Sequence, residues 1–492
     1  MINFGPMIDI SVRIHDKFSI EFKIGYRTLR DVNVNVNKFT VNTWIFIPYS
    51  LDINQATYPQ SVFYRNIKTN IRFITPDYPL KEIADINSEP VVFLKNALIR
   101  FTGNPVDSMV KDYEYNIKMF SAIVKSAIRD DIMLMMHSHP EESMCNDIII
   151  NAEKVLEIYR SFCTIVEDSK MSQEYAGYYL FGDEFLSNVL HRQLFRMITF
   201  LEKNDHNLYI AIKDTVLKAL ADEVAYRERK GYMVIDKENP ANNQTLIYRS
   251  GALKRYIESE LFLGVDKKKD GVLIEQIYMS LAAGLSMVFA TIIAFSVQQR
   301  FGNFTMPLFV ALVVSYMLKD RIKELMRYYF AHRLKEKYFD NKISISLGDS
   351  KIGVNKEGVD YIKDTQVPAS IMSIRSRTPL LEAENRYSKE TIILYRKSVR
   401  LSRYQLDKSS GFYISGINEI LKFNVSDILS KSDDPNIPLY IVHPSGEYEE
   451  VLASKMYFMN IVIQFKDAEC DFCKKYLISF NREGIRAIDE IN

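Results

Sequence analysis

Between Ile277 and Val297 the chain runs for 21 residues, IYMSLAAGLSMVFATIIAFSV, without a charged side chain. As a helix rising 1.5 Å per residue this segment is about 31 Å long, close to the ~30 Å hydrocarbon thickness of a bilayer, so it can cross a membrane alone. Three residues later a second apolar stretch, Phe301 to Leu318, spans roughly 27 Å, with Gly302 and Asn303 at its outer end. Pro307 falls in its first turns, where a missing backbone donor costs least. Helices in the core of a soluble protein usually carry polar residues at intervals. The pair therefore predicts a two-helix transmembrane hairpin.

Basic residues orient it. Lys267, Lys268 and Lys269 precede the first span, and Lys319, Arg321, Lys323 and Arg327 follow the second, against the single Arg300 in the connecting loop Gln298-Gln299-Arg300. The excess of Lys and Arg at both outer flanks predicts cytoplasmic termini. The absence of a targeting segment points to a bacterial inner membrane. The N-terminus, MINFGPMIDISVRIHDK, lacks a basic region followed by a continuous apolar run, so no cleaved secretory signal is expected.

Sixty-three Lys plus Arg stand against 62 Asp plus Glu. No global field recruits nucleic acid, and a nucleic-acid partner is not expected. Four cysteines in 492 residues point to a reduced compartment without a disulfide framework.

The rest of the chain reads as folded modules. Ile8, Ile10, Val12 and Ile14, then Phe18 to Tyr26, then Val32, Val34 and Val36 alternate with polar residues, which predicts half-buried antiparallel strands leading to Trp44-Ile45-Phe46-Ile47. Val62, Phe63, Ile67 and Ile71 predict one helix over Pro59 to Phe73. From Asp107 the period changes: Val110, Tyr113, Ile117, Phe120 and Val124, and later Ile149, Ala152, Leu156 and Tyr159, step by three and four. Asp107 and Asn146 are the expected N-caps of the first two helices. Beyond the second span a helical stripe continues through Lys337, and after Phe339 short apolar runs separated by turns predict more strands.

The fold class expected is thus an α+β membrane protein. It comprises a β-rich N-terminal module (1–105), a cytoplasmic helical bundle (106–266), the hairpin region (267–320, spans 277–297 and 301–318), a basic helical stalk (321–340) and a C-terminal β-rich module (341–492).

Few residues suggest chemistry. His137-Ser138-His139-Pro140 follows the apolar run Ile132 to Met136 and resembles the zinc-binding tract of the JAMM-type metalloproteases. That resemblance implies a Ser about seven residues after the second His and an Asp beyond it, whereas here Ser143 follows after three and Asp147 stands where the Ser should be. A polar inter-helix loop is the reading adopted. Cys470-Asp471-Phe472-Cys473 supplies two of the four ligands a tetrahedral metal needs; Cys145, Cys163 and His443 are distant in sequence. GxxxxGK[ST], GxGxxG and GxSxG are absent, and acidic pairs such as Glu141-Glu142, Asp433-Asp434 and Glu449-Glu450 read as solvated loops. No catalytic, cofactor-binding or metal-binding residue is assigned.

Ala282, Ser286, Ala290 and Ala294 recur every four residues, with Ser280 and Gly284 as a second small pair. This narrow face admits a closely packed helix, either the second span or another copy of the chain. The functional expectation is a membrane-anchored, cytoplasm-facing sensor, adaptor or scaffold, oligomeric and non-enzymatic. Its expected partners are the bilayer, anionic lipid at the basic stalk, a cytoplasmic protein and further copies of itself. The alternatives are a membrane-permeabilising effector assembled through the hairpin and a membrane-tethered metal-dependent hydrolase.

Overall fold

The alternating N-terminal segments form strands; the first two pair with each other, and the remaining partners come from the far end of the chain. A computed structural model describes residues 10–29, 35–103, 106–138, 140–168, 173–302, 305–337 and 339–491. Met7, Ile8, Val32, Val34, His139 and Asn303 lie outside the described residues. The chain divides into two units, one made of residues 1–71, 263–411 and 416–492, the other of 72–262 and 412–415.

Fourteen strands occur among the described residues: β1 (Ile10–Asp16), β2 (Ser19–Arg27), β3 (Val36–Ile47), β4 (Ile67–Phe73), β5 (Gly264–Lys269), β6 (Asn341–Leu347), β7 (Ser350–Ile362), β8 (Thr391–Ser402), β9 (Gly416–Asn424), β10 (Asn436–Val442), β11 (Tyr448–Ser454), β12 (Tyr457–Lys466), β13 (Asp471–Asn481) and β14 (Gly484–Ile491). One sheet has the order β1-β2-β9-β4 and another β14-β13-β12-β3-β8-β7-β6-β5; β10 and β11 form a separate ribbon. Each neighbouring pair of the eight-stranded sheet is antiparallel. β3 sits in its middle, with Trp44 opposite Leu394 on one side and Val462 on the other.

Strand alternation gives β3 two buried faces. Phe39 meets Tyr26 of β2 and Phe465 of β12, with ring centroids 5.5 and 5.9 Å away, which packs the smaller sheet onto the larger. Trp44 and Phe46 point the other way and pack with Ile392, Val462, Val367 and Ile371. Ile371 belongs to the short helix α12 (Ala369–Arg375), which covers this second face. The N- and C-terminal β modules expected to be separate therefore share one sheet. Period two identifies strands but says nothing about which strand lies beside which.

The helices of this unit are α1 (Gln60–Arg65), α10 (Val272–Phe301), α11 (Met306–Lys337), α12, α13 (Pro379–Asn385), α14 (Arg403–Lys408) and α15 (Ser426–Leu429). The single helix expected over Pro59 to Phe73 is the short α1 followed by β4. The second unit holds α2 (Leu80–Ile83), α3 (Glu89–Gly103), α4 (Asp107–His137), α5 (Glu142–Ser161), α6 (Cys163–Asp168), α7 (Gln173–Asn204), α8 (His206–Lys230) and α9 (Pro240–Ile257). Asp107 begins α4 rather than capping it, and Asn146 lies inside α5. Asp205 and Asn239 are the side chains that cap α8 and α9, accepting from Leu208 N and Asn242 N at 3.1 Å. At the centre of this unit the rings of Tyr159 and Tyr179 stack with centroids 4.7 Å apart.

The two-helix transmembrane hairpin is overturned. Among the described residues only α10 is long and apolar enough to cross a membrane, and that criterion rests on length and composition alone. Phe301 belongs to the end of α10, not to the second helix, which starts at Met306. From Met306 to the last residue before Lys319 there are only 13 residues, or about 20 Å of helix, well short of a ~30 Å hydrocarbon layer.

Candidate functional site: an apolar arm on a charged root

The helices α10 and α11 stand on adjacent strands. β5 leads into α10 and β6 follows α11, and the two strands pair antiparallel from Gly264 with Ser346 to Lys269 with Asn341. The arm therefore leaves the sheet and returns to it at the same edge. Ser315 Oγ of α11 donates to Ala290 O of α10 at 3.1 Å, and Phe301 and Met306 line one shallow groove at the tip with Val297 and Val310. These contacts set the helices antiparallel. Ala282 and Ser286, members of the small-residue row, are the buried residues of α10, while Ser315 is buried on α11. Small side chains let the two backbones approach, which is the use the row finds within one chain.

Counting from the Ser315–Ala290 contact, Lys319 falls level with Ser286 and Lys323 level with Ala282. The first half of α10 thus runs beside the charged part of α11, where Arg327 pairs with Glu324 at 3.1 Å. Only the outer half is apolar on both helices. There Met287, Val288, Ile292 and Phe295 of α10 and Phe309, Val310, Val313 and Met317 of α11 are exposed. From Met287 to Phe301 this outer part is about 22 Å long. A helix apolar all round belongs in a protein core or in lipid, and these side chains are exposed among the described residues.

The root of the arm is pinned by buried and half-buried carboxylates. Lys267 of β5 pairs with Glu357 Oε1 of β7 at 2.6 Å and lies 4.6 Å from the centroid of the Tyr64 ring. Glu357 Oε2 accepts from Tyr395 OH at 2.6 Å. Asp340, just before β6, accepts from Tyr64 OH at 2.8 Å and from Val359 N at 2.9 Å. Asp270, just before α10, pairs with Lys356 at 2.7 Å, and its N–H donates to Asp340 O at 3.1 Å. Burial first, and then the Asp340 carboxylate, push the Tyr64 hydroxyl far above the ordinary tyrosine range, so it stays a donor. Each foot of the arm is held by charge-assisted hydrogen bonds in a partly dehydrated setting, where they are strongest.

The residues singled out for chemistry are not brought together. His137 ends α4, exposed, with Nδ1 2.7 Å from Met133 O. The run before it is helix rather than strand, unlike the tract it resembles; Ser143 and Asp147 lie on α5. Cys145 is buried on α5, and burial raises its thiol to about 11. Cys163 opens α6. Cys473, on β13, packs against the Trp44 cluster, and burial followed by the Asp471 charge raises its thiol. Cys470 lies in the preceding turn, its N–H donating to Asp467 Oδ1 at 2.7 Å. His443 closes the β10–β11 ribbon, its Nε2 3.4 Å from Glu449 Oε2. Among the described residues no group of three or more His, Cys, Asp or Glu could hold a metal ion.

The sequence reading missed Glu357 and Asp340. They stand in polar positions of an ordinary strand and turn, and only pairing between segments far apart in the chain gives them their partners. No family model, no curated protein and no solved structure matches the chain.

Proposed function

We propose that this chain is a membrane-docked scaffold whose α10–α11 arm embeds its outer half in a bilayer from one face, holding the folded units at that surface. The observation that carries the reading is the apolar exposure of both helices from Met287 to Leu318. In water such a surface is unfavourable by ~25 cal/mol per Å², and lipid removes that cost. The common root on β5 and β6 supports entry and exit on the same side, so the arm dips in rather than passing through. Lys319, Arg321 and Lys323, where the apolar half of the arm ends, suit an anionic leaflet, at ~1 kcal/mol for each residue close to the surface. That preference supports a cytoplasmic placement of the root.

Flotation of the purified chain with vesicles of phosphatidylcholine and phosphatidylglycerol tests the reading. The wild type should float, and a Phe295→Asp, Val313→Asp variant should stay at the bottom of the gradient. Equal flotation of both, or none of the wild type, would sink the proposal.

A further inference from the structure

On the helix-covered face of the eight-stranded sheet, α13 and the neighbouring parts of β12, β13 and β14 enclose a cleft of about 650 Å³. Two cations line it. Arg375, the last residue of α12, is 4% exposed; its Nη2 donates to Glu390 Oε1 at 2.6 Å, while its buried Nε–H has no acceptor. Lys475 of β13 is 9% exposed, and its ammonium has no ion pair or hydrogen bond among the described residues. Its neighbour Lys474, on the opposite face of the strand, pairs with Glu490 at 2.7 Å.

Glu390 does not neutralise both. Both its oxygens are taken by guanidinium groups, Oε1 by Arg375 and Oε2 by Arg377 Nε at 2.9 Å, and Arg377 also pairs with Asp364 at 3.0 Å, so Glu390 does not reach Lys475 as a partner. The other carboxylate lining the cleft, Glu384, is exposed on α13. An unpaired ammonium beside a buried guanidinium is costly, and partial dehydration followed by the Arg375 charge draws the Lys475 ammonium below the ordinary lysine range. A bound anion offsets both effects.

The walls are apolar. Leu477, Phe458 and Ile491 line the sheet side, and the exposed Leu380 stands on α13. The geometry points to a phosphate monoester with an apolar or aromatic body as the ligand of this cleft, its phosphate lying between Arg375 Nε and the Lys475 ammonium. The unpaired Lys475 ammonium and the unmet Arg375 Nε–H together suit the charge and the several acceptor oxygens of a phosphate. Three phosphate oxygens can also accept from Arg375, from Lys475 and from the amide of Asn460, which is buried in the same lining.

The test is calorimetric titration of the full chain with hexyl phosphate, adenosine monophosphate and inorganic phosphate. At least one ester should bind one-to-one and more tightly than inorganic phosphate, and which ester binds separates an alkyl from a nucleotide body. Lys475→Met should weaken that binding tenfold or more, Lys475→Arg should retain it, and Leu380→Asp, at the mouth, should weaken it. Trp44 fluorescence, from the chain's single tryptophan, confirms that each variant keeps its fold. Failure of both esters to bind below about 1 mM, or binding that Lys475→Met leaves unchanged, overturns the assignment.

Discussion

The Lys397 ammonium lies 2.7 Å from Glu419 Oε1, with 2% and 1% of the two side chains exposed, and this pair joins the larger sheet of the first unit to the smaller one. Glu419 also accepts from Tyr26 OH at 2.8 Å and from Asn355 Nδ2 at 3.2 Å. Removing only the cation leaves a buried carboxylate without its counter-charge, which costs about 3–5 kcal/mol. Lys397→Met should therefore lower stability by that amount in urea unfolding followed by Trp44 fluorescence. Glu419→Met added to it should recover at least half of the loss. A single variant as stable as wild type would show that the pair is not the buried contact described.

Asp270 and Asp340 mark where the arm leaves and rejoins the sheet, with Asp270 N donating to Asp340 O at 3.1 Å. Replacing residues 271–339 with a short Asn-Gly turn should close β5 and β6 into an ordinary hairpin. Circular dichroism of the remainder should show the strand content retained, and the product should no longer float with vesicles. Continued flotation would place the lipid contact elsewhere.

Gly182 of α7 faces the Tyr159 ring. A Cβ there would overlap the Tyr159 hydroxyl and lie 2.9 Å from Ile117 Cγ2. Overpacking against a rigid stacked ring costs about 1–3 kcal/mol. Gly182→Ala should accordingly lower the thermal midpoint of the helical unit, read by circular dichroism at the helix minimum, whereas Gly231→Ala, where no atom is within 4 Å, acts only through its φ of +71°. Equal stability of Gly182→Ala and wild type would mean the ring is free to move aside.

The buried Cys145 thiol titrates near 11 in the folded chain against an ordinary value of 9.0, because burial disfavours the thiolate. Since the folded state holds its proton to higher pH than the unfolded one, the contribution is complete below pH 9 and is lost as pH rises toward 11. Stability should fall through that window, and Cys145→Ala should flatten this part of the slope in denaturation curves taken at successive pH values. At pH 8 iodoacetamide should label Cys145 only after unfolding; rapid labelling of the native chain would refute its burial.

Much of the local structure was legible because it depends on local periodicity. Tyr113, Ile117, Phe120 and Val124 do lie on one buried helix face, and Phe18 to Tyr26 do form a strand. Pro59 to Phe73 misled, since Val62, Phe63, Ile67 and Ile71 fit a helical spacing while β-branched residues after Asn66 carry the chain into β4. The cleft at Arg375 and Lys475 left no local signature: one residue ends a short helix, the other lies in an edge-proximal strand a hundred residues later.

The sequence by itself determined that α10 is apolar over a membrane-sized length, because hydropathy and the rise per residue are properties of the segment alone. Tertiary structure decided what that segment can be. The Ser315–Ala290 contact sets the charged stretch of α11 beside the inner half of α10, and the pairing of β5 with β6 brings both feet to one edge of the sheet. Register and strand neighbours arise from contacts between residues far apart in the chain, so the depth of the apolar arm and the buried charges at its root appear only once the chain has folded.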